Sequence, residues 1–175
     1  MTAEPLPSPV AIARPRAADR SGRTGVLARL LRTDAAVGPL VLRVALGLVL
    51  LPHGAQKLFG WFGGHGFEGT MGFLTGAIGL PYLVALLVVA IESLGALALV
   101  VGFASRAAAA GVVAVMTGAV LSVHLPHGFF MNWSATQGGE GFEYHLLAIG
   151  MALAIAVAGG GALSLDRALA RRLER

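Results

Sequence analysis

Four apolar runs, each near twenty residues long, dominate the chain at 37–59, 80–101, 107–125 and 143–162. A helix rises about 1.5 Å per residue, so roughly 20 apolar residues cross the ~30 Å hydrocarbon layer of a bilayer. Lipid offers no hydrogen bonds, so each crossing segment must satisfy its backbone internally as a helix. The expected fold is therefore all-α, an integral membrane four-helix bundle. Composition agrees, with 56% hydrophobic and 13% charged residues, against about a quarter charged in a soluble domain.

The cations fix the expected topology. Arg14, Arg16, Arg20, Arg23, Arg29, Arg32, Arg106, Arg167, Arg171, Arg172 and Arg175 all fall on one side of a four-span arrangement, and the connectors at 60–79 and 126–141 contain no Lys or Arg. Positive charge stays cytoplasmic, which places both termini there and turns Trp61, His65, His127 and Trp133 outward. The net charge of +4 and pI near 10.7 come from arginines flanking apolar spans. That pattern suits anionic lipid headgroups, and no nucleic-acid partner is expected.

Outside the spans, residues 1–23 mix Pro, Ala, Ser and Arg without apolar periodicity, the composition of a disordered basic tail. A cleaved signal peptide fits less well, because the first long apolar run begins only near Val37 and exceeds a signal's apolar region. Residues 24–36 carry Leu27, Leu30 and Leu31 on one helical face, an interfacial amphipathic lead-in. Residues 163–175 repeat Leu165, Leu169 and Leu173 beside four arginines, a basic amphipathic tail along the inner leaflet. Ala110, Ala114 and Gly118, and Gly150, Ala154 and Ala158, have small-xxx-small spacing and predict close helix packing.

The chain has no cysteine, which excludes disulfides, thiolate metal sites and cysteine nucleophiles. Gly138, Gly139 and the glycines at 159–161 form no phosphate loop, since no Lys-Ser/Thr follows a strand. Redox chemistry must then come from a cofactor or a partner.

Chemistry is carried by ionisable side chains within the apolar runs, which cost several kcal/mol in lipid unless paired or hydrated. Arg43, His53 and Lys57 lie in the first run, Glu92 in the second, and His124, Glu143 and His145 at the adjoining ends of the third and fourth. Arg43, Leu46, Leu50, His53 and Lys57 recur at intervals of three and four, so they share one inward helix face. Pro52, just before His53, removes one helix hydrogen bond. Counting about 1.5 Å per residue puts Arg43 on the order of 9 Å, and Glu92 roughly 13 Å, above the inner boundary, depths compatible with a salt bridge between them; an unpaired Glu92 is expected to be protonated.

His53, Lys57, His124, Glu143 and His145 are expected at similar depth near the outer surface, as one polar cluster. Its histidines suit either a metal or a quinone headgroup. The absence of a tight ligand motif such as HExxH argues against a metal, and none is assigned. Glu143 and His145 point about 160° apart on a helix, so one of them faces the cluster. The loop histidines, His65 and His127, are expected in water.

These residues resemble the DoxX family of small bacterial membrane proteins. The likeness rests on RVALGLVLLPHGAQKLFG at 43–60, IESLGALALVVGFASRAAAAG at 91–111, His124, and GFEYHLLAIGMALAIAVAGGGALSLDRAL at 141–169. Arginine, HGxxK, membrane glutamate and the closing GGGALSLDR turn are specific as a set rather than singly. The resemblance implies a four-helix protein of the bacterial inner membrane, some relatives being subunits linked to quinone-dependent sulfur oxidation or to oxidative-stress complexes.

Two functional readings follow. In one, the protein is a subunit of a quinone-linked redox or oxidative-stress complex, with quinone as its cofactor and Arg43, His53, Lys57, Glu92 and His145 lining a headgroup or proton site. In the other it is a non-catalytic scaffold that recruits partner subunits or further copies of itself, and the buried charges only fix helix register. A transporter is disfavoured by the absence of an inverted repeat or broken helix pair. The residues assign no catalytic group and leave open whether the chain has an activity of its own.

Overall fold

The computed structural model describes residues 36–175; the tail 1–23 and, apart from Ala36, the lead-in 24–36 lie outside the described residues. The first apolar run forms α1, Val37–Phe59, closed by Gly60 in the left-handed conformation. A short 3-10 turn, Trp61–Gly63, leads to α2, Gly66–Gly72. The glycine-rich connector 60–79 reads as loop, but this part of it is helical. The reason is tertiary: Met71 is buried with Ala85 and Val89, and Leu58, Phe67 and Leu74 pack around them.

Helix α3 spans Tyr82–Val101 and α4 spans Ser105–His127; with α1 they are the three described helices long and apolar enough to cross a membrane. The fourth apolar helix, α5, is Glu143–Ala158. It stops short of residue 162 because Gly159 leaves the helical region at φ 85°, ψ −170°. A tight turn follows, then α6, Leu165–Leu173, whose start is capped by the Ser164 hydroxyl accepting from the Arg167 amide at 3.2 Å.

The helices run alternately up and down. One end, here the turn end, gathers Ala36, the α3–α4 turn and the α5–α6 turn: the Ala162 amide bonds the Ala36 carbonyl and the Asp166 amide bonds the Gly102 carbonyl. The other, the loop end, carries the connectors 60–65 and 128–142. Helix α1 packs on α3 and α5, and α4 lies along α5. The buried seam contains Leu46, Leu50, Leu99, Val112, Met116, Ala148, Ala152 and Ile155.

Lipid is as apolar as leucine, so close contact and internal polar bonds must hold such a bundle together. Helices α1 and α3 touch backbone to backbone, and a Cβ at Gly54 would stand 2.6 Å from the Ser93 Cα. The small stripes singled out in the sequence are not the packed ones. Ala110, Ala114, Gly118 and Gly150 are exposed, whereas Ser105, Ala109, Ala148 and Ala152 form the buried α4–α5 contact. Four-residue spacing sets a stripe but not which of several stripes faces a neighbour.

Wide π-type turns continue α2 at Phe73–Ala77 and interrupt α3 at Ile91–Gly95 and α4 at Val120–His124. Each holds a hydroxyl that bonds the carbonyl four residues back: Thr75 to Met71 at 2.8 Å, Ser93 to Val89 at 2.6 Å and Ser122 to Gly118 at 2.7 Å. Such back-bonding bends helices and takes up a carbonyl that a widened turn leaves without its usual amide. Two of the turns hold site residues, Glu92 and His124.

Candidate functional site

The seven candidate residues separate into a structural set and a cavity set. Arg43 belongs to the turn end. Its guanidinium donates through Nε to the Gly160 carbonyl at 2.8 Å, through Nη1 to Leu99 at 3.0 Å and Val100 at 2.5 Å, and through Nη2 to Ala162 at 3.2 Å and Leu163 at 2.9 Å. All five donors of the fork are used. The acceptors sit at the carboxyl ends of α3 and just past α5, where helix dipoles present negative charge.

The expected Arg43–Glu92 salt bridge is therefore absent. The α3–α4 turn is so tight that Arg43 lies level with the end of α3, and Glu92 is seven residues before Leu99, roughly 10 Å further along the helix. Gly102, at φ 71°, makes this approach feasible; a Cβ there would meet the Arg43 Cζ at 2.9 Å and the Ser164 Cβ at 2.6 Å. Asp166 completes the closure by accepting from the Ala104 amide at 2.7 Å and the Ser105 amide at 2.9 Å, an anion at the amino end of α4.

Glu92 is paired instead with Lys57, whose Nζ stands 2.5 Å from Oε2. Lys57 sits in the last turn of α1 and its side chain reaches back towards mid-bundle, while the wide turn 91–95 holds the buried Glu92 opposite Gly54.

The pair lies in the wall of a cavity of about 580 Å³, bounded by α1, the segment 73–80 that follows α2, α3, α4 and α5. Such a volume is in the range of small-molecule sites, roughly 300–1,000 Å³. Leu50, Phe73, Leu87, Val88, Ile91 and Val115 make most of the wall apolar, and the polar groups are Lys57, Glu92, His53, Ser122, His124, Glu140, Tyr144 and His145. The His124 and His145 rings lie 4.1 Å apart between centroids, the Tyr144 ring is 5.5 Å from His145, and His53 is 6.1 Å from Tyr144. His124 Nδ1 bonds the Glu140 carbonyl at 2.9 Å.

Two residues of this wall each hold a buried polar atom, the Tyr144 hydroxyl and His145 Nδ1, that has no hydrogen-bond partner among the described residues. Native proteins rarely leave such atoms without one, and a ligand is one of the standard remedies. His145 and Glu143 do diverge on α5. His145 is buried at the cavity, and Glu143 turns to the 128–142 loop, accepting from the Met131 amide at 3.2 Å. No group of three or more His, Asp or Glu side chains among the described residues is arranged to hold a metal ion. His65 is exposed and His127 half-buried in the loops.

The structure thus brings His53, Lys57, Glu92, His124 and His145 to one cavity and assigns Arg43 and Glu143 to holding the fold. Reasoning from sequence passed over Tyr144 between the two residues it named, although an ionisable phenol at the same helix start as His145 was there to be read.

Fold and site define an all-helical membrane protein with a cavity between its helices. The DoxX family model matches residues 38–125, a span that includes Arg43, His53, Lys57, Glu92 and His124. A Bacillus subtilis (strain 168) protein described as "Putative oxidoreductase CatD" is 33% identical over 130 residues, 74% of this chain and 85% of that one. The chain belongs to the DoxX family. No solved structure matches it.

Proposed function

We propose that this protein is the quinone-binding membrane subunit of a redox complex, and that the cavity between its helices holds the quinone headgroup. One observation carries the reading: an apolar cavity lined by the ion-paired Lys57 and by Tyr144 and His145, each of which holds a buried polar atom without a hydrogen-bond partner. A quinone is a flat apolar ring with two carbonyl acceptors. The Tyr144 hydroxyl and a Nδ1-protonated His145 are donors of the right kind for one carbonyl, and the Lys57 ammonium for the other.

Bound quinone supplies two-electron, two-proton chemistry, and each electron taken up is matched by a proton. This chain contains no cysteine, and its own share of that chemistry is to bind, orient and protonate. His145 and His124, in ring contact, are placed to hold and pass the proton. The electrons come from a partner subunit. The description of the Bacillus relative as an oxidoreductase supports this assignment. A pure scaffold would have no use for a tyrosine hydroxyl and an imidazole nitrogen buried without partners.

We also place the protein in the bacterial inner membrane with both termini in the cytoplasm, because among the described residues Arg106, Arg167, Arg171, Arg172 and Arg175 follow the turns of the turn end. The test of function is quinone binding by the purified protein in nanodiscs. The expected result is saturable binding that falls about tenfold or more in the Tyr144→Phe, His145→Ala double variant, a loss of about 1.4 kcal/mol or more. Wild-type protein that binds no quinone, with or without its native partners, sinks the proposal.

A further inference from the structure

The cavity is not closed on all sides. Val84 and Leu87 on α3 line it and are also exposed, and so are Gly118 and Ser122 on α4. The gap between α3 and α4 therefore continues from the cavity to the outside of the bundle. What surrounds it there is apolar: Leu83 is 66% exposed and Leu121 67%. In a membrane helix such surface faces acyl chains, not water.

Two glycines on α4 measure the gap. At Gly111 an added Cβ would stand 3.0 Å from Cδ1 of Ile91, so the helices are in contact at that level. Seven residues on, about two helical turns or ~10 Å nearer the loop end, a Cβ at Gly118 would meet nothing within 4 Å. The wide turn 91–95 marks where α3 rests on α4, and from there towards the loop end the two helices diverge.

We infer that the cleft between α3 and α4 is a lateral port that seats the hydrocarbon tail of the ligand, so the protein takes a membrane-dissolved, long-chain quinone from the bilayer and not a short-chain, water-borne one. The inference rests on the quinone reading of the cavity. The headgroup lies inward against Lys57, Tyr144 and His145, and the tail leaves past Gly118 into lipid. Exchanging lipid for the cleft wall brings the tail no hydrophobic gain, because both are apolar. The port therefore acts through shape: it admits a chain, and a large side chain at its rim blocks one.

Binding in nanodiscs tests this with three probes that share a headgroup: the bare quinone, its decyl derivative and its geranyl derivative. Gly118→Phe fills the rim. Gly150→Phe on α5 is the matched control, since Gly150 also has open space around it and does not line the cavity. Gly118→Phe is expected to weaken both tailed probes about tenfold or more and leave the bare quinone unchanged, while Gly150→Phe changes none. Equal loss of both tailed probes defines the seat as one for any hydrocarbon chain, and loss of the geranyl probe alone defines it as a prenyl seat.

Unchanged tailed binding in Gly118→Phe, with the bare quinone still bound, overturns the port and spares the headgroup site. Loss of all three probes in wild type overturns the site itself. Should Gly118→Phe not fold, a photoreactive diazirine at the tail end of the decyl probe answers on wild-type protein. Labelling within 84–91 and 114–122 supports the port; labelling elsewhere, or cross-linking of two copies through 114–122, overturns it.

Discussion

The Lys57 ammonium and the Glu92 carboxylate, thirty-five residues apart in sequence, meet at 2.5 Å with the carboxylate side chain 9% and the lysine 25% exposed. Each charge makes the other tolerable in an apolar wall. Removing either alone leaves a charge without its partner, whereas removing both replaces the pair with neutral groups. Glu92→Gln and Lys57→Met are each expected to lower thermal stability in detergent, and the double variant to recover much of the loss. The coupling from the double-mutant cycle is expected at about 1–3 kcal/mol; additive effects would show that the pair contributes nothing specific.

Arg43→Lys is expected to be far from conservative. An ammonium has three donors on a flexible stem, and cannot serve five carbonyls drawn from α3 and the turn after α5. Loss of about 3 kcal/mol or more is expected, read as a collapse in monodisperse yield on size-exclusion chromatography. Asp166→Asn keeps one acceptor for the Ala104 and Ser105 amides and should cost less, about 1 kcal/mol. A lysine variant as stable as wild type would refute the role given to the fork.

The back-bonded hydroxyls make a narrower claim. Ser93→Ala removes the bond to the Val89 carbonyl beside Glu92, and a loss of about 1 kcal/mol is expected. Ser93→Thr keeps the hydroxyl and should retain more of it. Because the wide turn also aims Glu92, the alanine variant should weaken quinone binding in parallel with stability. Equal melting temperatures for all three proteins would count against a contribution from the hydroxyl.

Tyr144→Phe separates binding from folding. Its hydroxyl is buried without a partner, so deleting it removes a desolvation cost of about 1–3 kcal/mol and forfeits no internal bond. The expected outcome is an unchanged or raised melting temperature together with weaker quinone binding. A fall in stability with binding intact would mean that the hydroxyl serves the fold.

The bundle was legible in the sequence because apolar run length and charge placement report directly on lipid. The site was legible only in part. Residue type and helical phase marked His53, Lys57, Glu92, His124 and His145, but the partner of a buried charge depends on how helices register against one another. Boundary counting put Arg43 within about 4 Å of the depth of Glu92, whereas the tight 102–105 turn sets it beside Leu99 and Val100. The wide turns were the hidden element, since a π-type turn has no residue pattern of its own. Their trace was Thr75, Ser93 and Ser122, lone hydroxyls in apolar surroundings. Helix α2 was obscured by its glycines, whose turn-forming habit is overridden by burial of Met71.

The carbonyl fork around Arg43 also bears on how the protein is made. Its acceptors lie between 56 and 120 residues downstream, so at ribosomal speeds of about 5–20 residues per second the guanidinium waits on the order of ten seconds for its last ones. A lone arginine at a helix centre costs roughly 2.5–3.5 kcal/mol to insert, less near the end. Until the residues just past α5 are made, the Arg43 guanidinium lacks three of its five acceptors, and those residues then latch α1 into place. Nascent chains that stop before residue 159 lack the Gly160, Ala162 and Leu163 acceptors, which makes the turn after α5 a checkpoint for the placement of α1.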